Sequence, residues 1–261
     1  MKKAESRSQS KREYLYGVNP VLEALRADRR IEQIAVAEGA RHDRLRELTD
    51  LARAKNIPIS RAPRSALNRA AGSTNHQGVL AYVSAARYAD AEELLSFIAS
   101  QVGSKTEPLV AVLDGVEDPR NLGAILRTAE CVGVQGVFMS ERRAVGLTET
   151  VAKAAAGAVE YVPVARVTNL TRLIEQLKER NVWVIGTTPD APIVYTEWDW
   201  KRASAVVLGG EGSGLHRLVR ERCDALVRIP VLGRIDSLNL SVAAGIVFYE
   251  ALRQRMIANH T

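Results

Sequence analysis

Three short stretches gather hydrogen-bonding and charged side chains where chemistry can use them. In DPRNLGAILRTAE, residues 118–130, Asn121 stands beside Arg120, and Arg127 follows seven residues later on the same helical face. Two such arginines alone would read as a solvated stripe; Asn121 at the end of a strand-like run points instead to a site. In LGGEGSGL, residues 208–215, glycines 209, 210, 212 and 214 permit close backbone approach and positive φ angles. Glu211 in their midst can accept hydrogen bonds or face a cation. In RIDSLNLSVAAG, residues 234–245, Asp236, Ser237, Asn239 and Ser241 crowd the start of an apolar helical run. One helix cap needs one such residue. Four imply that the backbone there does more than begin a helix.

The elements that must position these stretches are legible around them. From residue 109 onward, strand-like runs (LVAVLDGV, VQGVFMS, VEYVPVA, VWVIGTT, SAVVLGGE, ALVRIPV) alternate with helical segments such as DPRNLGAILRTAECVG, LTETVAKAAAG and NLTRLIEQLKERN. Apolar runs separated by amphipathic helices predict an α/β fold with a parallel sheet covered on both faces. Ligands of such sheets bind at the carboxyl ends of the strands, where all three stretches fall. A dinucleotide fingerprint also spaces glycines between strand and helix, with an acid about 20 residues further on. Here the glycine loop follows the fifth run and only one more remains, too little chain for that half-domain.

Residues 13–85 read as a smaller α/β unit, with helical GVNPVLEALRA and HDRLRELTDLARAKN and strand-like IEQIAVAEG and QGVLAYVSA. Residues 86–107, an amphipathic helix and the polar turn GSKTEP, read as a linker, and residues 108–261 as the second domain. Residues 1–12 carry five Lys or Arg and one Glu and read as a disordered basic tail. Residues 13–85 add a net +3, whereas 86–261 come to −1, so the overall +6 belongs to the front of the chain. That distribution points to a polyanionic partner, nucleic acid above all.

Cys131 and Cys223 form no CxxC or Cys/His cluster, which predicts buried structural thiols in a reducing compartment and no metal. No apolar run nears the ~20 residues of a membrane span, and the charged N-terminus lacks a signal-peptide core, so a cytoplasmic location is expected. His42, His76, His216 and His260 are scattered and predict surface roles; Trp198 and Trp200 predict packing; Lys153 is a loose candidate for facing substrate.

Taken together, DPRNLGAILRTAE, VVLGGEGSGL and IPVLGRIDSLNLSVAAGI resemble, in order, the three motifs of the SpoU (TrmH-like) RNA ribose 2′-O-methyltransferases of the SPOUT superfamily. YGVNPVLEAL is similar to the start of the substrate-binding domain in the subgroup that methylates a guanosine in the peptidyl-transferase P-loop of 23S ribosomal RNA. The resemblance implies a deep trefoil knot in the C-terminal domain, preceded by a small α/β substrate-binding domain like that of a ribosomal protein. It implies S-adenosylmethionine as cofactor, held by Gly209, Ile229 and Leu238 with Leu208, Gly212 and Pro230 nearby. Arg127 would hold a phosphate and stabilise oxyanion charge, and Asn121 would position the ribose or Arg127. Glu211 and Asn239 would fix the knot loops and substrate, and Ser237, Asn239 and Ser241 would satisfy backbone buried by the crossing. Implied partners are 23S rRNA or an assembling large ribosomal subunit, and a second copy in a homodimer. A base methyltransferase of the same superfamily, a methylase of another rRNA or tRNA nucleotide, and a non-catalytic RNA-binding protein are the alternatives.

Overall fold

The structure, a computed structural model, describes residues 13–41, 43–83 and 88–258. The basic tail at 1–12, His42 and His260 lie outside the described residues. The chain divides into two compact units, Met1–Ala85 and Ala86–Thr261.

The first unit runs β1 (Glu13–Tyr16), α1 (Val18–Arg26), β2 (Ile31–Ala37), α2 (Leu45–Ala54), β3 (Ile59–Ala62), α3 (Arg64–Ala71) and β4 (Val79–Val83). Its sheet has the order β1-β4-β2-β3, with β4 antiparallel to both neighbours and β3 parallel to β2. Val18, Val21, Leu22 and Leu25 recur at helical spacing and bury one face of α1. His76, expected on the surface, is instead fully buried. Its Nδ1 accepts the Gly78 amide at 2.9 Å while Nε2 meets Asn68 Oδ1 at 2.7 Å, so both ring nitrogens are satisfied inside the turn before β4.

The second unit begins with α4 (Ala91–Gln101), then β5 (Leu109–Asp114), α5 (Pro119–Cys131), β6 (Gly136–Ser140), α6 (Glu149–Ala154), a 3-10 turn at Ala158–Glu160, β7 (Val164–Val167) and α7 (Leu170–Glu179). It continues with β8 (Trp183–Thr187), β9 (Ile193–Val194), β10 (Ser204–Gly209), α8 (Arg217–Arg222), β11 (Ala225–Arg228) and α9 (Leu240–Ala258). The sheet order is β7-β6-β5-β10-β8-β11-β9, and every pairing is parallel. β5 and β10 lie side by side and are buried along their whole length, which explains their unbroken apolar sequences. Leu109, Ala111, Leu113, Val206 and Leu208 pack on one face with the apolar stripe of α5 and with Val247 and Phe248 of α9. Val110, Val112, Ala205 and Val207 pack on the other with α4 and α7.

Residues 86–107 are no linker. Leu94, Leu95 and Ile98 of α4 are buried in the second core, and Ala89 bridges to Ala165 beside β7. The run expected as strand at 159–165 is a strand only from Val164, because the 3-10 turn and Pro163 occupy its first half. Nor are both cysteines buried: Cys131 is exposed at the end of α5, while burial pushes the partly covered Cys223 thiol up to about 12.

At the amino edge of this sheet the Arg255 guanidinium donates to the carbonyls of Trp200, Glu107, Pro108 and Arg202 at 2.7–3.1 Å. Burial pulls its pKa down to about 10. Four carbonyl dipoles stand in for a carboxylate and tie α9 to the starts of β5 and β10. Trp200 is fully buried and donates to the Tyr195 carbonyl, and Trp198 lies edge-on to it, so both serve packing.

Burial, with Arg64 adding to it, holds the His76 pKa below its ordinary value. The unfolded chain therefore binds the proton more readily than the folded one between the two pKa values. Stability is full above about 6.5 and falls as the pH drops through that value toward the folded pKa. Thermal unfolding followed from pH 8 to 5 should show this loss, and the slope should flatten in His76→Gln.

Candidate active site

The carboxyl edge of the parallel sheet is built from loops that follow β5, β10 and β11. Asp118 opens α5 by accepting the Arg120 amide at 2.7 Å, and Pro119 occupies the first helical position. That start fixes Asn121 in the first turn, only 7% exposed. Its Nδ2 donates to Glu211 Oε1 at 2.5 Å, and its Oδ1 accepts from Asn239 Nδ2 at 3.0 Å. Asn239 in turn caps α9, its Oδ1 accepting the Ser241 amide at 2.9 Å and the Ser241 hydroxyl at 2.6 Å. One hydrogen-bond chain thus joins all three stretches, across separations of 90 and 118 residues.

Steric constraints set the same loops close together. A Cβ on Gly209 would lie 2.2 Å from the Gly214 carbonyl carbon, and one on Gly210 would lie 2.5 Å from the Gly115 oxygen. The glycine loop folds onto itself through reciprocal Gly210–Gly214 backbone bonds of 3.0 and 3.1 Å. Gly123 lets α5 meet α6, where a Cβ would come within 2.4 Å of the Ala154 Cβ.

Between the loops after β8, β10 and β11 lies a cleft of about 740 Å³. Such a volume suits a cofactor-sized molecule. Gly209, Gly212, Ile229 and Leu238 line it, as do Glu211, Ser237 and Asn239. Leu208 and Pro230 do not: Leu208 is fully buried on the α5 side of β10, and Pro230 is exposed outside the lining. Among the described residues Ser237 makes only a 3.4 Å contact with Asp236, and residues 230–239 are all exposed. Asn239 and Ser241 satisfy the first turn of α9. Arg127 lies outside the cleft lining on α5, exposed and, among the described residues, in no ion pair. Arg120 is likewise exposed.

Two features escaped the motifs. Thr187, Thr188 and Pro189 line the cleft from the end of β8; their position after a strand was the available signal. His216, expected to be an unremarked surface residue, is clasped by the buried Asp114, whose two carboxylate oxygens accept its backbone N–H and meet its Nδ1, each at 2.8 Å. No local pattern announces a pairing across 102 residues.

Among the described residues the cleft carries two carboxylates, Glu211 and Asp236, and no Lys, Arg or His. That lining repels a polyphosphate and favours a ligand with positive charge. Its mixture of glycine backbone, apolar Ile229 and Leu238, and hydroxyls fits S-adenosylmethionine, whose sulfonium is cationic and whose adenine is flat and apolar with polar edges.

The family model described as "SpoU rRNA Methylase family" matches residues 108–249, and "RNA 2'-O ribose methyltransferase substrate binding" matches residues 14–89. YacO of Bacillus subtilis, named for the TrmH family of tRNA/rRNA methyltransferases, is 43% identical over 93% of this chain and 96% of its own. A crystal structure of an RNA 2′-O ribose methyltransferase superposes with a TM-score of 0.78 at 26% identity, covering 97% of this chain and 93% of that one. An AdoMet-bound rRNA methyltransferase from Sinorhizobium meliloti superposes with a TM-score of 0.77 at 26% identity, covering 95% and 89%.

The Asn121 amide is shared by two partners, so its removal and that of Asn239 should be non-additive. A double-mutant cycle of Asn121→Ala and Asn239→Ala in urea denaturation should give a coupling of about 1–2 kcal/mol. Additivity within ~0.3 kcal/mol would mean that the chain of bonds does not act as a unit.

Proposed function

Because the chain belongs to the SpoU rRNA methylase family, we propose that it transfers a methyl group from S-adenosylmethionine to a ribose 2′-hydroxyl of RNA, the target being a guanosine in the peptidyl-transferase P-loop of 23S rRNA. The observation that carries this reading is the acid-lined cleft, without a basic side chain among the described residues, locked by Asn121 to the helix that bears Arg127. When bound, the cofactor supplies an electrophilic methyl on a cationic sulfur. Gly209, Gly212, Ile229 and Leu238 would hold it through backbone and apolar contact, and the Glu211 carboxylate in the lining would offset its positive charge. Arg127, with no carboxylate among the described residues to neutralise it, is free to take an RNA phosphate and to stabilise negative charge growing on the 2′-oxygen. A guanidinium offers five N–H donors and no acceptor, so Arg127 positions and stabilises without accepting the proton. Asn121, held at both ends, keeps α5 in register with the glycine loop; positioning of this kind supplies much of the rate in an in-line transfer.

The ribose as acceptor is supported by the substrate-binding match over residues 14–89, and 23S rRNA by the YGVNPVLEAL resemblance. We extend the reading to a homodimer, with the knot in residues 108–261. Leu232 is fully exposed and Ile235 is 75% exposed in the segment before α9, and Val242 and Tyr249, seven residues apart on α9, are half-exposed. Apolar side chains so grouped along one segment suit burial by a second copy.

Replacing the target nucleotide by its 2′-deoxy analogue should abolish methyl acceptance; undiminished transfer would move the chemistry to the base. Arg127→Ala should leave cofactor affinity by calorimetry nearly unchanged while transfer falls on the order of 10²-fold. A loss of cofactor affinity in proportion to activity would make Arg127 structural.

A further inference from the structure

One part of the carboxyl edge has no role in the cleft: the loop between β6 and α6, residues 141–148. It is built to hold one shape. The Val145 amide donates to the Val116 carbonyl at 2.9 Å, the Leu147 amide to the Tyr88 hydroxyl at 2.9 Å, and the Ser140 hydroxyl to the Arg142 carbonyl at 2.8 Å. The Arg166 guanidinium lies 4.3 Å from the centre of the Tyr88 ring, and Gly146 closes on that stack, where a Cβ would be 3.2 Å from Arg166 Nη2. At the tip Arg143 adopts φ +52°, a left-handed conformation that glycine or asparagine would adopt with less strain.

Arg142 and Arg143 are both exposed, and among the described residues neither forms an ion pair. The Arg143 carbonyl and the His216 ring flank Gly115, at 3.8 and 3.6 Å from where its Cβ would be. The turn therefore stands beside the start of the β5–α5 connection and beside a clasped, part-exposed imidazole. Glu141 is the acid nearest in sequence and it too points no bond at either arginine. A strained residue at the tip of a loop braced by three hydrogen bonds, bearing a guanidinium that no described residue neutralises, is arranged for an external anion.

We propose that the Arg142–Arg143 turn is an RNA-docking element of the catalytic unit, gripping backbone phosphates that flank the nucleotide presented at the carboxyl edge. The proposal rests on the RNA reading above and adds where the second unit meets its substrate. Two guanidinium groups one residue apart can engage successive phosphates, each by paired N–H donors. The net charge of −1 over residues 86–261 hides this edge, because it averages the turn with acids elsewhere.

The test uses the full chain and an rRNA fragment carrying the P-loop, in filter binding across a salt series. Arg142→Ala/Arg143→Gly removes both guanidinium groups while glycine keeps the left-handed turn relaxed. It should retain thermal stability and S-adenosylmethionine affinity, yet bind RNA more weakly, with a log K against log salt slope shallower by about 1 for each arginine. Arg142→Lys/Arg143→Lys should recover most of the slope, and Arg172→Ala, an exposed charge on α7, should change neither affinity nor slope. Equal affinity and slope for wild type and the Ala/Gly variant would overturn the proposal, as would an equal loss in Arg172→Ala. A wild-type chain that binds no RNA would overturn the reading beneath it as well.

Discussion

The amide of Asn121 is the interaction on which the site depends. It is nearly buried, so both its ends must be satisfied, and they are satisfied by Glu211 and Asn239 from loops far away in sequence. The glycine loop alone would be free to flex, and the stretch before α9 is exposed. Tied through one side chain, they take a fixed position over the end of β10. Asn239 does double duty, capping α9 with its oxygen and holding Asn121 with its nitrogen. The crowding of small polar residues at 236–241 therefore has a simple account. Asn239 and Ser241 belong to the lock and the cap, and Asp236 and Ser237 belong to the cleft wall.

The two edges of the sheet contrast in their chemistry. The amino edge is closed by Arg255, whose charge is spread over four carbonyls and which fastens α9 to β5 and β10. The carboxyl edge is left open, with glycines where backbones touch and with exposed guanidinium groups on its rim that form no ion pair among the described residues. α9 spans both: its cap is part of the lock at one edge, and its last turns carry the staple at the other. Stability and function are thus separated along one helix, which lets the open edge remain polar without loosening the core.

Much of this was legible in the sequence, and the failures have physical reasons. β5 and β10 announce themselves because central parallel strands are apolar throughout. Pro119, Asp118 and the glycines mark their turns by local backbone preference. α4 was misplaced because an amphipathic stripe such as Leu94, Leu95 and Ile98 shows that a helix buries a face, but not against which unit. β9, two residues long, owes its existence to its neighbour β11. The burial of His76 depends on Asn68 and a turn amide, and the Asp114–His216 clasp on two strand ends meeting; neither leaves a periodic trace. The family resemblance implied Leu208 near the cofactor; strand alternation sends its side chain into the core and leaves the cleft lining to its neighbour Gly209.

The role proposed for the acid-lined cleft is methyl transfer to a ribose oxygen. The most direct measurement is mass spectrometry of nucleosides from 23S rRNA incubated with the purified protein and S-adenosylmethionine carrying a heavy methyl group. Label is expected in 2′-O-methylguanosine alone, within one P-loop fragment. Label on a base, or none in RNA despite a bound cofactor, would contradict it.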